Sequence, residues 1–210
     1  MGAEIKVIVF DLGRVLVDFD HRIAAQKISG FSRKTPEQIF DLFFNSLLTQ
    51  SFEEGKISPE DFFASVSRIL GLNMGFEEFL PIWNGIFFLS ADNKAVYVLA
   101  KSLKRRHRIA LLSNINVLHF NYLKENFSVF DIFRDIFASC EMGCIKPNPE
   151  IYRKVISVLG VMPEEVFYVD DRLELIDQAN ELGIRGFVFK GAKQLKDDLA
   201  SCGVKCDEDS

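Results

Sequence analysis

Residues 5–10 read IKVIVF, and residue 11 is an aspartate. Five of those six residues are apolar, and most are β-branched. Such a run marks a strand buried on both faces, which belongs to a parallel sheet covered by helices on each side. The segment therefore restricts the chain to an α/β architecture. The aspartate stands at the carboxyl tip of that strand, where open α/β sheets bind their ligands. Gly13 follows two residues later.

The rest of the chain repeats the theme. Short apolar blocks at 5–10, 108–113, 135–139, 166–169 and 185–189 read as strands. Helical spacing covers 92–106, through Ala95, Val98, Leu99 and Leu103. A helix at 149–159 opens on Asn148-Pro149, and one at 172–182 ends at Gly183. Strand and helix in alternation imply parallel pairing and right-handed crossovers, hence a doubly wound parallel sheet.

Residues 21–90 break the alternation. They read as helices over 21–29, 35–48, 58–70 and 75–85, with starts at Thr35-Pro36-Glu37 and Ser58-Pro59-Glu60. No strand is expected between them. The expected organisation is a Rossmann-like core from 1–17 and 91–210, with a small helical unit at 18–90 inserted above the sheet edge. The 21 phenylalanines are expected to fill helical interfaces.

Charge narrows the partners. A net charge of −5 argues against nucleic acid. The one basic cluster, Lys101 to Arg108, reads as a solvated helix end. No apolar run approaches the ~20 residues that span a bilayer. The first residues lack a signal-peptide pattern, and Lys6 stands where a myristoylation signal needs Ser or Thr. A cytoplasmic protein without membrane partners is expected, as a monomer or homodimer. Cys140, Cys144, Cys202 and Cys206 do not have a common zinc spacing, and neither zinc nor a structural disulfide is expected.

Four strand ends carry polar groups: Asp11, Ser113-Asn114, Lys146-Pro147 after the third strand, and Asp170-Asp171. A doubly wound sheet gathers them at one edge. A carboxylate can attack phosphorus and form an aspartyl-phosphate. Lys146 then supplies positive charge, and Ser113 and backbone N–H groups supply donors. Asp11 and the Asp170-Asp171 pair suit Mg²⁺, which prefers hard oxygen ligands and offsets repulsion between nucleophile and substrate.

With these residues in place, the chain resembles the haloacid dehalogenase superfamily. The matching segments are FDLGRVLVD at 10–18, LLSN at 111–114, KPNPEIY at 146–152 and YVDDR at 168–172. A helical insert after the first strand is that family's C1 cap. Within it, the chain is most similar to sugar-phosphate phosphatases such as α-D-glucose-1-phosphate phosphatase, and to the N-terminal domain of soluble epoxide hydrolase. The resemblance implies that Asp11 is the nucleophile, Ser113 binds the transferred phosphoryl group and Lys146 stabilises it. It implies Mg²⁺ at Asp171 with Asp170 close by, and the carbonyl of Gly13 as a further ligand. Asn114 and Arg14 are further candidates for holding substrate; Arg14 pairs either with a phosphate or with Asp18. The implied reaction is Mg²⁺-dependent removal of phosphate from a small phosphorylated metabolite, a sugar phosphate in the first instance.

Two positions depart from the family. Most of its phosphatases have a second Asp where Gly13 stands, serving as general acid and base. Asp18, Asp20 and His21 are the neighbours that could replace it. Leu175 stands where an Asp or Asn is frequent, with Glu174 and Asp177 beside it. Two alternatives follow: a 2-haloacid dehalogenase, which needs no metal and leaves the Asp170-Asp171 pair unexplained, or a non-catalytic binding protein that has lost its acid. Trp83, Phe87, Phe88 and His119 read as structural.

Overall fold

The computed structural model describes residues 3–206. Strand β1 (Val7–Phe10) leads through a tight loop to β2 (Asp18–Phe19). Five helices follow: α1 (His21–Ile28), α2 (Pro36–Asn45), α3 (Leu47–Glu53), α4 (Pro59–Leu70) and α5 (Phe76–Asn84). Then come β3 (Phe87–Phe88), α6 (Ala91–Leu103), β4 (Arg108–Ser113), α7 (Val117–Asn126), β5 (Asp135–Ala138) and the short α8 (Ser139–Met142). The chain closes with α9 (Pro149–Leu159), β6 (Val166–Asp170), α10 (Leu173–Glu181), β7 (Arg185–Val188) and α11 (Ala192–Ser201).

The main sheet has the order β5-β4-β1-β6-β7, parallel throughout. The strand expected at 5–10 is thus the central one, and all four of its residues are buried. Alternation along it feeds two cores. Ile8 and Phe10 join Val96, Leu99, Leu123 and Leu195 on one face. Val7 and Val9 join Ile151, Val155, Tyr168 and Ile176 on the other. The chain is a doubly wound α/β sheet.

A third buried cluster lies wholly within residues 24–86. Phe52 stacks on Phe62 with ring centroids 4.3 Å apart, and Phe43 meets Trp83 edge-on at 4.7 Å. Aromatics of this size give a five-helix insert a core of its own.

The insert departs from expectation twice. The helix expected at 35–48 is two helices. Ser46 turns the chain into extended geometry, and its hydroxyl accepts the Thr49 N–H at 3.1 Å, capping α3. A strand also exists there: Phe87–Phe88 pairs antiparallel with Asp18–Phe19. Two residues are too few to show alternation in sequence. The Lys101–Arg108 cluster is likewise not one helix end. The helix stops at Leu103, and Arg108 opens β4 with a bidentate bond to Asp135 at 2.7 and 2.8 Å. No helix among the described residues is long and apolar enough to cross a membrane. Cys140, Cys144 and Cys202 stand outside any disulfide.

Candidate active site

Register brings the polar strand ends together. Phe10 pairs with Leu111 of β4 and with Val169 of β6, so Asp11, Ser113 and Asp170 leave the sheet at one edge. The sheet order reverses about β1, and the crevice at such a reversal is where ligands bind. The Asp11 N–H donates to the Val169 carbonyl at 2.9 Å, fixing the nucleophile candidate to the neighbouring strand.

Lys146 ties the edge together. It is 2% exposed, yet its ammonium meets four acceptors. Nζ donates to Asp11 Oδ1 at 2.7 Å, Asp170 Oδ2 at 2.5 Å, Tyr168 Oη at 3.0 Å and the Leu112 carbonyl at 3.2 Å. A buried ammonium needs such partners. Burial acts to lower the Lys146 pKa, but Asp11 and Asp170 outweigh it and raise it. The Lys146 backbone is held as well. Asn114 accepts its N–H at 2.8 Å through Oδ1 and donates to its carbonyl at 2.9 Å through Nδ2. Asn114, read from sequence as a substrate contact, thus has its amide engaged in placing Lys146.

The three carboxylates differ. Burial pushes Asp11 up to about 7, with Lys146 pulling the other way. Burial also works to raise Asp170, but Lys146 and the Tyr168 hydroxyl overcome it and hold that carboxyl below its usual value. Asp170 Oδ1 accepts from the Arg172 N–H at 3.1 Å, and Oδ2 takes Lys146 and the Tyr168 hydroxyl. Asp171 is the most accessible of the three. Burial and then the Asp170 charge push it up to about 6. One oxygen from each of Asp11, Asp170 and Asp171 lies within 4.8 Å of the others. Hard oxygen ligands in that number fit Mg²⁺, which keeps several waters of its own.

A cavity of about 860 Å³ opens over this edge. Asp11, Ser113, Lys146, Asp170 and Asp171 form its floor, while His21, Phe43, Phe44 and Glu53 of the insert form part of its wall. A narrower recess of about 60 Å³ runs beside Gly13, Glu53, Ser113 and His119. The Ser113 hydroxyl is buried and makes only a long bond, 3.5 Å, to the Asn114 carbonyl, which leaves it able to donate elsewhere.

The profile of the haloacid dehalogenase-like hydrolase family matches residues 5–183. The chain belongs to that family. It is 30% identical over 201 residues to a D-ribitol-5-phosphate phosphatase of Bacteroides thetaiotaomicron, covering 93% of this chain and 97% of the relative. It is 29% identical over 202 residues to a sesquiterpene phosphatase of Aspergillus oryzae, covering 96% and 95%. Among solved structures it is similar to a haloacid dehalogenase family enzyme of Bacteroides thetaiotaomicron in complex with magnesium and inorganic phosphate. The TM-score there is 0.79 with 28% identity, covering 89% of this chain and 95% of that one.

In this hydrolase the loop after Asp11 is tightly made. Gly13 forms a bridge with Val17, and the Arg14 N–H donates to the Val17 carbonyl at 2.9 Å. Arg14 adopts φ 62°, uncommon for a side chain of its size. Its guanidinium lies over the Phe19 ring at 4.7 Å and lines the large cavity; no ion pair joins it to Asp18. A Cβ at Gly13 would sit 2.8 Å from Phe19 Cε1, so the position is closed to any side chain while Phe19 stays where it is.

The sequence neighbours of Gly13 divide. Asp20 caps α1, its carboxylate accepting the Arg22 N–H at 2.9 Å. Asp18 pairs with Phe88 in the short ribbon and does not line either cavity. His21 lines both cavities, but burial lowers it to about 4. Leu175 is buried in the large cavity's wall. Beside it, Glu174 accepts Arg172 Nε at 2.8 Å, and Asp177 is exposed. Trp83 is fully buried against the neutral His119 ring, with centroids 4.7 Å apart. Glu53, which lines both cavities, has no signal in the sequence: it is one of 30 acids, in the polar stretch EEGK.

Proposed function

We propose that this hydrolase is a Mg²⁺-dependent phosphatase of small phosphorylated metabolites, and that it works through an aspartyl-phosphate on Asp11. The observation that carries the reading is the single buried ammonium of Lys146 spanning Asp11 and Asp170, with Asp171 beside them at the reversal point of the sheet. Asp11 attacks phosphorus. Lys146 orients its carboxylate and offsets the negative charge gathered at the edge. Ser113 donates its hydroxyl to the transferred phosphoryl oxygens. Asn114 acts through Lys146 by fixing its backbone. Mg²⁺, held by Asp11, Asp171 and the Gly13 carbonyl, supplies the positive charge that lets an anionic nucleophile meet an anionic ester. Asp170 has protein donors on both oxygens and serves chiefly to place Lys146, which leaves Asp171 as the direct ligand.

Residues 18–90 act as a cap over a core made of 1–17 and 91–210. The wall that the insert lends to the large cavity supports this reading, because it faces the part of a substrate that lies beyond the phosphate. The polyol and the sesquiterpene named for the two phosphatase relatives have little in common beyond the phosphate removed. The floor of the site therefore sets the reaction, and the insert sets the substrate. Arg14, at the rim, contacts the substrate's anionic end.

The test is a panel of sugar, polyol and terpenoid phosphates assayed with Mg²⁺ and with EDTA. Turnover that needs Mg²⁺ and disappears in Asp11→Asn is the expected result. Metal-independent release of halide from a 2-haloacid, or turnover retained in Asp11→Asn, overturns the reading.

A further inference from the structure

An alkyl phosphate leaves as an alkoxide, a strong base that needs a proton, and the water that clears the aspartyl-phosphate needs a base. Position 13 offers neither, since Gly13 has no side chain. Most titratable groups around the large cavity are already engaged. Asp11 is the nucleophile. Asp170 accepts from Lys146, Tyr168 and the Arg172 N–H. Asp171 belongs to the metal. Lys146 is committed to two carboxylates, and arginine side chains do not serve as acids or bases in proteins. Glu174 is drawn off by Arg172. His21 is held neutral at physiological pH and has no imidazolium proton to give. One group is left.

We propose that Glu53, reaching the cavity from the end of α3, is the catalytic acid and base of this hydrolase. This rests on the phosphatase reading above and names the residue that completes it.

Glu53 belongs to the insert, but its backbone is fastened to the core. Ser139 Oγ donates to the Glu53 carbonyl at 2.6 Å and accepts the Ile115 N–H at 2.9 Å. Ile115 lies two residues beyond Ser113, so one hydroxyl joins the phosphate-side loop to Glu53. Two residues past Glu53 the chain again presses on the core. A Cβ at Gly55 would stand 2.1 Å from the Cys140 carbonyl, an approach open only to glycine. Glu53 thus lines the cavity shared with Asp11 and Ser113 from an anchored backbone. Burial pushes its carboxyl up to about 7, against the pull of Arg172 and Lys146. A carboxyl poised there both gives and takes a proton at neutral pH.

The steps balance. Asp11 attacks phosphorus, the bond to the ester oxygen breaks, and the leaving alkoxide takes the Glu53 proton. The Glu53 carboxylate then takes a proton from water. The resulting hydroxide attacks the aspartyl-phosphate, releasing Asp11 and inorganic phosphate, and Glu53 is again protonated.

The experiment compares two esters, glycerol phosphate and p-nitrophenyl phosphate, in wild type, Asp11→Asn and Glu53→Gln with Mg²⁺. The p-nitrophenolate leaves without a proton. Glu53→Gln is expected to lose about 10²–10⁴-fold on the alkyl ester. On the aryl ester it should release one rapid equivalent of p-nitrophenolate and then slow, with phosphorylated Asp11 accumulating and visible by mass spectrometry. Should Glu53→Gln fail to fold, Ser139→Ala decides. It frees the anchor and keeps the carboxyl, and the same preference for the aryl ester is expected in weaker form. Near wild-type turnover of the alkyl ester by Glu53→Gln, or an equal loss on both esters without a burst, overturns the role of Glu53 alone. A wild type inactive on both esters overturns the phosphatase reading and Glu53 with it.

Discussion

Replacing Gly13 by alanine tests why position 13 carries no side chain. The added Cβ would lie 2.8 Å from Phe19 Cε1, 3.6 Å from Phe19 Cδ1 and 3.7 Å from Asp11 Oδ2. Carbon atoms pack best at about 3.5–4.0 Å, so the ring edge must retreat by about 1 Å. The ring has little room to do so. The Arg14 guanidinium covers one face at 4.7 Å, the His21 ring sits at 5.3 Å and the Phe87 ring at 6.3 Å. Its backbone is also paired with Phe87. Crowding of this kind costs about 1–3 kcal/mol. For a chain of this length each kcal/mol moves the melting point by about 2–4 °C. Gly13→Ala should therefore melt several degrees below wild type in EDTA. In the double-mutant cycle with Phe19→Leu, most of that loss should vanish, giving a coupling energy of about 1 kcal/mol or more. An unchanged melting point for Gly13→Ala would show that Phe19 swings aside freely. The steric account of Gly13 would then fail.

Two further outcomes follow from the buried charges. Lys146→Met leaves the Asp11 and Asp170 carboxylates without their shared cation, so EDTA-treated protein should lose about 3–5 kcal/mol in denaturant melts, with Mg²⁺ restoring part of it; an unaltered melt would mean the ion pairs are loosely formed. His21 and His119 give the fold an acid limit. Burial lowers them to about 4 and about 3, below the 6.5 of the unfolded chain, so their stability is fully present above pH 6.5 and is lost as the pH falls toward those values. At pH 5 each costs about 2 kcal/mol, and His119→Gln should flatten the dependence of melting point on pH between 7.5 and 5.

Much of the site was legible in the sequence because strand ends are written locally. IKVIVF ends at Asp11 and VFYV ends at Asp170, and parallel pairing alone carries both to one edge. The role of Asn114 was less legible, since its amide bonds reach 32 residues away to Lys146. His119 shows the same limit. Asn116 Oδ1 accepts the His119 N–H, which turns its Nδ2 toward the ring at 3.0 Å, while Nε2 meets the Trp83 carbonyl at 3.1 Å. That pattern makes Nδ1 the acceptor and keeps the ring neutral. Nothing in the sequence pairs residues 83 and 119. Glu53 was illegible for the same reason. Its position comes from Ser139, 86 residues away, and from the way a separate aromatic core seats the insert against the sheet.

A proton donor supplied from the insert should leave a mark on stability that is separate from activity. Glu53 is held at about 7, above the ordinary 4.5, because burial disfavours its charge. A carboxyl raised in the folded state stabilises the fold fully below the unfolded value, and that contribution is lost as the pH rises through the folded one. The full span between 4.5 and 7 amounts to about 3 kcal/mol. Glu53 keeps partial access to solvent, which reduces the figure to about 1–2 kcal/mol. Glu53→Gln removes the charge and retains the shape. It should therefore melt higher than wild type at pH 8 and close to it at pH 4, while turning over alkyl esters far more slowly. A carboxylate serving only to hold the insert on the core would give the opposite result, a variant less stable at pH 8. Melting curves at the two pH values thus separate a residue kept for its proton from one kept for its grip.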